Sequence, residues 1–270
     1  MTTGLSVEVD CGVAVITLNR PKQRNVFTRA MGQALGAAYR DLDNDDEVRA
    51  IVLTGAPPAF CAGADLGGGA DTFDAPADTF TASPVNPPAF DLRKPVIAAV
   101  NGHAIGIGLT IAMQADIRIF ADNAKYSIPQ VRRGVLPDVM SHWTVPHIAG
   151  MAVAADILLT GRTFDGAEAV RLGLGSRCLP ADEVLPAALD IARDIAVNVA
   201  PMSVALSKRL LWQTARRGFE PERVAELETE LHLRVMGKPD AAEGVRAYLE
   251  RRDPQWVSKL SEEWQEVAPE

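Results

Sequence analysis

An alternation in the middle of the chain narrows the fold more than any other feature. Ala50–Thr54, Val96–Val100 and Asp116–Phe120 are short, β-prone runs rich in apolar residues, and Ile105–Gln114, between the last two, is helical in character. A strand, a helix and another strand in that order cannot be joined by tight hairpins. They require parallel crossovers, with helices laid over the sheet. The fold class expected is therefore α/β.

The flanks fit that frame. Leu5–Asp10 and Val13–Leu18, separated by Cys11-Gly12, read as a hairpin, and Pro21 breaks the pattern after it. Thr28 is placed to cap a helix running to about Leu42, with Met31, Leu35, Ala38 and Leu42 at helical spacing. The acidic stretch Asn44-Asp45-Asp46-Glu47 reads as a solvated connection. Val139–Ala149 and Val153–Leu159 read as helices, and Leu174–Leu179 as a last strand. From about Asp182 the pattern is helical throughout. Pro201 and Pro221 sit where first-turn prolines belong, and Pro239 with Asp240 opens a further helix to about Arg252. The change of pattern near Pro201 divides the chain into a sheet-and-helix core, residues 1–199, and a helical module, residues 200–270. Trp256, Leu260 and Trp264 recur every four residues, a stripe suited to burial against the body or a neighbour. Gly67–Arg93 stands apart. Rich in Gly, Pro, Ala and Asp, with isolated Phe73, Phe80 and Phe90, it reads either as a mobile surface loop or as a lid whose phenylalanines wall a pocket.

Composition restricts the partners. The formal net charge is −8, and an acidic surface repels phosphate backbones, so no nucleic acid is expected. A local basic pocket for one phosphorylated ligand remains compatible with that charge. Cys11, Cys61 and Cys178 match no zinc or disulfide pattern, and their odd, sparse count fits a reducing compartment. The opening MTTGLSVEVD has neither the basic start nor the apolar stretch of a signal peptide, and no apolar run reaches the length of a membrane span. The expected location is cytoplasmic, with no membrane partner. No metal is expected either: His142 and His147, five apart on a helix, do not share a face well. His103 reads as shaping a turn, and Cys61 has no base beside it in sequence, so it is not read as a nucleophile. Gly102, Gly106 and Gly108 do not have the spacing of a dinucleotide fingerprint.

Two turns rich in small residues carry the chemical signal. They are Phe60–Leu66, FCAGADL, and Asn101–Gly108, NGHAIGIG, each following a strand. Small residues let a ligand approach the backbone closely, and N–H groups at a turn entering a helix are free to donate. Two such donors converging on one carbonyl oxygen would form an oxyanion hole, which stabilises a thioester enolate. Further stretches accompany them in order: Asn19-Arg20-Pro21, Leu158–Arg162 (LLTGR), Ala167–Leu174 (AEAVRLGL) and Tyr248–Arg252, with the second turn extended to Lys94–Gly108 (KPVIAAVNGHAIGIG).

On these motifs the chain resembles the crotonase (enoyl-CoA hydratase/isomerase) superfamily over about residues 5–256. The resemblance implies a (ββα)n spiral core with a C-terminal helical module. It implies an acyl-CoA or enoyl-CoA thioester as ligand, with coenzyme A as part of the substrate and no tightly bound cofactor. A homotrimer or dimer of trimers goes with it. The resemblance places the oxyanion donors at the backbone N–H groups of Ala64 and Ile107, the latter where the family usually has glycine. Ala62, Ala64, Asp65, Leu66 and Gly67 match positions that hold the adenine and the pantetheine arm. Arg24 is read either as a contact to the ligand's phosphates or as a solvated arginine. Tyr248 and Arg251 match positions that touch the coenzyme, often from a neighbouring subunit.

One departure matters. The family's hydratases carry two glutamates twenty residues apart, and the matching positions here are Thr110 and Gln130, neither of which is a carboxylate. Each missing acid or base costs roughly 10²–10⁴ in rate where nothing replaces it. Asp138 lies eight residues after Gln130, at an offset where related dienoyl-CoA isomerases carry an aspartate. Beside Val135, Leu136 and Val139 its pKa is expected above the ordinary ~3.9, which suits proton transfer at a carbon α or γ to the thioester. It is equally placed to cap a helix beginning at Val139. Two readings of the whole chain follow. One is an enzyme with Asp138 as its acid/base, where a single carboxylate favours isomerisation over hydration. The other is a non-catalytic acyl-CoA binding protein that lacks the glutamate pair.

Overall fold

The computed structural model describes residues 3–74 and 80–267. β1 (Leu5–Asp10) and β2 (Val13–Leu18) form the expected antiparallel hairpin, Leu5 opposite Leu18 and Asp10 opposite Val13. From β2 onward the sheet is parallel, through β3 (Ala50–Gly55), β5 (Val96–Val100), β7 (Ile117–Ala121) and β10 (Arg177–Leu179). Among the described residues the order is β1-β2-β3-β5-β7-β10. β3 and β5 are buried along their whole length, as parallel strands covered on both faces must be. The helix α5 (Ala181–Asn198) lies across β3, β5 and β7, with Val184, Ala188 and Ala192 repeating every four residues on its buried face.

A second, smaller sheet was not anticipated from the sequence. It contains β4 (Ala59–Cys61), β6 (His103–Ile105), β8 (Tyr126–Ser127) and β9 (Thr163–Phe164), in that order. Each of β3, β5 and β7 is thus followed by a short strand of the other sheet. Because Ile105 belongs to β6, the following helix α2 (Ile107–Ala112) is shorter than the expected Ile105–Gln114. The expected last strand also shrinks to β10, since Leu174 closes the turn after α4 (Gly166–Arg171) by donating to the Ala169 carbonyl at 2.9 Å.

The helix α1 (Arg29–Asn44) is capped as expected, the Thr28 hydroxyl accepting from Met31 N–H at 3.1 Å. It runs on into the acidic stretch, which is more than a solvated connection. Asp43 receives both the backbone N–H and the Nε of Arg93 at 2.8 Å, Lys94 Nζ donates to the Leu42 and Asp45 carbonyls, and Asp46 pairs with Ser261.

The helix α3 (Ser141–Thr160) is twenty residues long and apolar enough by length and composition to cross a membrane, which corrects the sequence expectation that no run is. Gly150 breaks it, at φ 82° and ψ 163°, and Val145, Ala154, Ile157 and Leu158 are buried in the main core. The helices α6 (Pro201–Arg217), α7 (Pro221–Val235) and α8 (Pro239–Glu250) each begin on their proline. Residues 253–259 are not helical, and only α9 (Leu260–Glu263) follows, so the Trp256–Leu260–Trp264 spacing is not a helix stripe. Its members are nonetheless committed inward: Trp256 Nε1 donates to the Val197 carbonyl, Leu260 is buried, and Trp264 packs on Leu206, Leu231 and Val267.

The Gly67–Arg93 segment divides. Residues 75–79 and the Phe73 side chain lie outside the described residues, so part of the loop-or-lid question falls there. Beyond them, Val85, Ala89, Phe90 and Leu92 are buried, and Phe90 packs between Trp143 and Trp212 with ring centroids 5.2 and 5.3 Å away. That half is part of the packed body, and Phe80 alone of the described phenylalanines there is open to solvent.

Candidate active site

The two small-residue turns lie side by side because β4 pairs with β6, Cys61 opposite Ala104. Gly106 joins β6 to α2 at φ 55° and ψ −122°, a conformation that suits glycine. Gly108, in the first turn of α2, rests directly on β4. A Cβ there would lie 2.4 Å from the Cys61 carbonyl oxygen and 2.7 Å from the Cys61 Cβ. The N–H groups of Ile107 and Gly108 open α2 and have no acceptor among the described residues. On the other turn, Ala64 bridges to Phe27. Phe27 N–H donates to the Gly63 carbonyl at 2.7 Å and Asp65 N–H to the Phe27 carbonyl at 3.2 Å, leaving the Ala64 N–H without an acceptor among the described residues.

Thr110 and Gln130 converge on Asp138. Thr110, one turn into α2, donates its hydroxyl to Asp138 Oδ1 at 2.7 Å, and Gln130 donates its Nε2 to the same oxygen at 3.2 Å. Gln130 opens a short 3-10 turn, Gln130–Arg133, and its carboxamide lies against the bare face of Gly106. Burial pushes the Asp138 carboxyl up from its ordinary pKa, while the bonds from Thr110 and Gln130 pull it back without overcoming that rise. Asp138 is not a helix cap. The helix α3 begins at Ser141 with Met140 as its N-cap and no side-chain cap, and the Asp138 carboxylate turns to α2 instead.

The turn holding Asp138 is strained and pinned. Val139 and Met140 are both left-handed, at φ 52° and 59°, a region that β-branched valine rarely enters. Val139 N–H donates to the Ala82 carbonyl at 2.8 Å, and its own carbonyl accepts from Gln114 Nε2 at 3.2 Å. Sequence reasoning missed Ala82, Gln114 and Val139, whose roles depend on backbone groups. It also missed Asn25, which is fully buried and donates to the Ala56 and Ala59 carbonyls, both at 2.7 Å, fixing the 20–27 segment against β4. Asparagine's tolerance of the left-handed conformation, φ 55° here, was the available signal.

The other residues singled out by sequence fall on two sides. Arg24 accepts from Ala62 N–H through its carbonyl at 3.0 Å while its side chain is exposed, next to Ala64, Asp65, Leu66 and Gly67, which are exposed too. Asp65 pairs with Arg20 at 3.4 Å and accepts from Gly67 N–H at 3.1 Å. Tyr248 and Arg251 stand at the exposed end of α8, and among the described residues they form no hydrogen bond or ion pair with the site. Cys61 is buried near Asp138 with its thiol pushed up to about 12 by burial, the opposite of an activated nucleophile. Among the described residues no cluster of ligating side chains suits a metal.

Three consecutive parallel strands, β3, β5 and β7, each lead into a short strand of a second sheet, and the turns around that sheet carry unbonded N–H groups and a half-buried carboxylate. Comparison with known proteins sharpens this. The sequence model of the family described as Enoyl-CoA hydratase/isomerase matches residues 8–259. A probable enoyl-CoA hydratase of Mycobacterium tuberculosis is 39% identical over 258 residues, covering 94% of this chain and 97% of that protein. The carnitinyl-CoA dehydratase of Proteus mirabilis is 34% identical over 266 residues, covering 96% and 100%. Among solved structures, a probable enoyl-CoA hydratase/isomerase from Mycobacterium abscessus superposes with a TM-score of 0.92 at 58% identity, covering 94% of this chain and 99% of the other. The chain belongs to the enoyl-CoA hydratase/isomerase family, within the crotonase superfamily.

Proposed function

We propose that this protein is an enoyl-CoA isomerase in which Asp138 moves the proton and the N–H groups of Ala64 and Ile107 hold the thioester oxygen. One observation carries the reading: Thr110 and Gln130, at the positions of the family's two glutamates, both donate to one oxygen of Asp138. The carboxylate function has moved to a third position, and the two neutral residues serve it. Asp138 takes a proton from the carbon γ to the thioester. The electron pair passes into a dienolate whose oxygen is held by the two N–H groups, and the proton returns at the α carbon as the double bond shifts. One carboxylate suffices, because it is deprotonated again at the end. A single carboxylate favours isomerisation over hydration, which would need Thr110 and Gln130 to orient a water besides donating to Asp138.

The rest of the reading follows the same ligand. Ala62, Ala64, Asp65, Leu66 and Gly67 line the adenine and pantetheine arm, with Arg24 at the phosphates. Coenzyme A arrives with the substrate, and no cofactor is held. Tyr248 and Arg251, exposed and without a hydrogen bond or ion pair to the described site of their own chain, complete a neighbour's site in a homotrimer or dimer of trimers. Residues 1–199 are the acyl-CoA-binding core and 200–270 the assembling module. The location is cytoplasmic, with neither nucleic acid nor membrane as partner.

The test is double-bond migration in enoyl-CoA substrates, with hydration and exchange of α-protons in deuterated water followed in parallel. Migration and exchange without net hydration is the expected result. Binding of acyl-CoA with no turnover at any chain length would instead make the protein a non-catalytic carrier. Calorimetry with a short enoyl-CoA and the matching free acid separates thioester recognition from general fatty-acid binding, and equal affinity for both would sink the coenzyme assignment.

A further inference from the structure

The short helix α2 holds the candidate site at both of its ends. It opens on the N–H groups of Ile107 and Gly108, and Thr110 within it donates to the Asp138 carboxylate at 2.7 Å. Gln114, four residues after Thr110, closes the turn that ends the helix, its N–H donating to the Ile111 carbonyl at 3.0 Å. From there its Nε2 donates to the Val139 carbonyl at 3.2 Å. Val139 is a residue that needs holding. It and Met140 are left-handed, at φ 52° and 59°, and such strain persists only where the surroundings fix it. Three bonds do so. Val139 N–H donates to the Ala82 carbonyl at 2.8 Å, Ser141 N–H donates to the Asp138 carbonyl at 3.0 Å, and Gln114 holds the Val139 carbonyl. Of these three, the one from Gln114 comes from a side chain, and from the element that also presents the N–H groups.

We propose that Gln114 is a positioning residue: through the Val139 carbonyl it sets the Asp138 carboxylate relative to the N–H groups of α2, and so aims it at the reacting carbon. This rests on the reading of Asp138 as the proton-transfer group. Thr110 and Gln130 both donate to one oxygen of that carboxylate, so its other oxygen takes its direction from the backbone of the turn. Releasing the Val139 carbonyl lets residues 139 and 140 leave the left-handed region, and the carboxylate moves with them. A displacement of about 1 Å in a reacting group costs up to roughly 10²-fold in rate. Core filling does not account for a glutamine here. Gln114 is 1% exposed, and its Oε1 is buried with no hydrogen-bond partner among the described residues. Methionine or leucine would fill the same place without leaving an acceptor unpaired.

The experiment compares Gln114→Met and Gln114→Leu with the unaltered whole chain. Double-bond migration gives kcat and KM, calorimetry gives the dissociation constant of a saturated acyl-CoA, and circular dichroism gives the folded fraction to which rates are normalised. The expected result is a kcat lower by about tenfold or more, with KM and the dissociation constant within about threefold. Tm should stay close to that of the unaltered protein, since each variant loses one hydrogen bond and one unpaired acceptor together. A kcat within about twofold of the unaltered protein overturns the inference. So does a loss that appears equally in KM and in the dissociation constant, or one that disappears on normalising to the folded fraction. Failure of both variants to fold overturns it as well, by making Gln114 a requirement of the core. Asp138→Asn is assayed alongside. If it keeps full turnover, or if the unaltered protein binds acyl-CoA without turnover, the Asp138 reading and this inference fall together. If Asp138→Asn loses turnover and the Gln114 variants do not, this inference falls alone.

Discussion

Asp138 is subject to two opposed influences, and their balance has measurable consequences. Burial raises its pKa, and the donors on Thr110 and Gln130 lower it, with burial the larger. If its carboxylate form is the base, turnover falls as pH drops through a limb lying above the ordinary 3.8. Removing a donor in Thr110→Ala or Gln130→Ala raises the pKa further, so that limb moves to higher pH, with a smaller loss of turnover than at Asp138 itself. A pH profile of kcat/KM that does not move in either variant would disconnect them from the carboxylate. Asp138→Asn is expected to lower turnover roughly 10²-fold or more with a smaller effect on binding. Its effect on stability has the opposite sign. A carboxyl whose folded pKa is raised holds its proton more tightly in the folded chain, so stability falls as pH rises from about 3.8 through the folded value. At neutral pH the asparagine removes a buried charge yet keeps an acceptor for both donors, so Tm is expected to rise by about 2 °C. The loss of the family's carboxylates at 110 and 130 was legible in the sequence. Their convergence on Asp138 was not, since a carboxylate following proline fits a helix cap and a buried acid equally well until its side chain is seen to turn.

Whole strands and helices show where sequence patterning ran out. The large sheet was legible because five- and six-residue apolar runs, bounded by turns, leave a pattern. The small sheet was not, because β4, β6, β8 and β9 have only two or three residues each, too few for any periodicity. Yet it is β4 against α2 that brings the two N–H turns together. Gly108→Ala tests that contact: its methyl would meet the Cys61 backbone at 2.4 Å, so either α2 or β4 must shift. The expected cost is about 1–3 kcal/mol in denaturant unfolding, together with a loss of turnover. Full turnover in a stable Gly108→Ala protein would mean that the α2 N–H groups are not aimed as described. The helix α6 offers a second test. Lys208 is buried, 2.7 Å from Asp116, and also donates to the Ala89 and Lys94 carbonyls. Lys208→Met leaves Asp116 uncompensated, and a loss of about 3–5 kcal/mol is expected. An unchanged denaturation midpoint would show that the bonds from Trp212 and from Val96 N–H satisfy Asp116 without the lysine.

For the molecule as a whole, the surface of the C-terminal helices argues for assembly. Val245, Tyr248 and Leu249, at i, i+3 and i+4, share one face of α8 and are each more than 60% exposed. Leu233 and Met236 at the end of α7 and Leu211 on α6 are open to a similar degree. Between α6 and α7 runs a groove of about 450 Å³ lined largely by Leu206, Leu210, Leu211, Val224, Leu231 and Val235. A lone chain that left so much apolar surface wet would forgo roughly 25 cal/mol for each Å² that a neighbour could cover. The sequence made these helices legible but not their outward faces, because a helix that buries one stripe inside and another against a neighbour is apolar on two sides. The expected solution state is a trimer by light scattering at micromolar concentration. Leu233→Asp with Leu249→Asp, which place charge on that surface without touching the core or the residues assigned to the coenzyme, should shift the population toward monomer. If Tyr248 and Arg251 complete a neighbour's site, acyl-CoA affinity should fall with the trimer even though neither substitution lies in the Asp138 region. A stable monomer of the unaltered protein that binds acyl-CoA with full affinity would overturn both the assembly and the shared site.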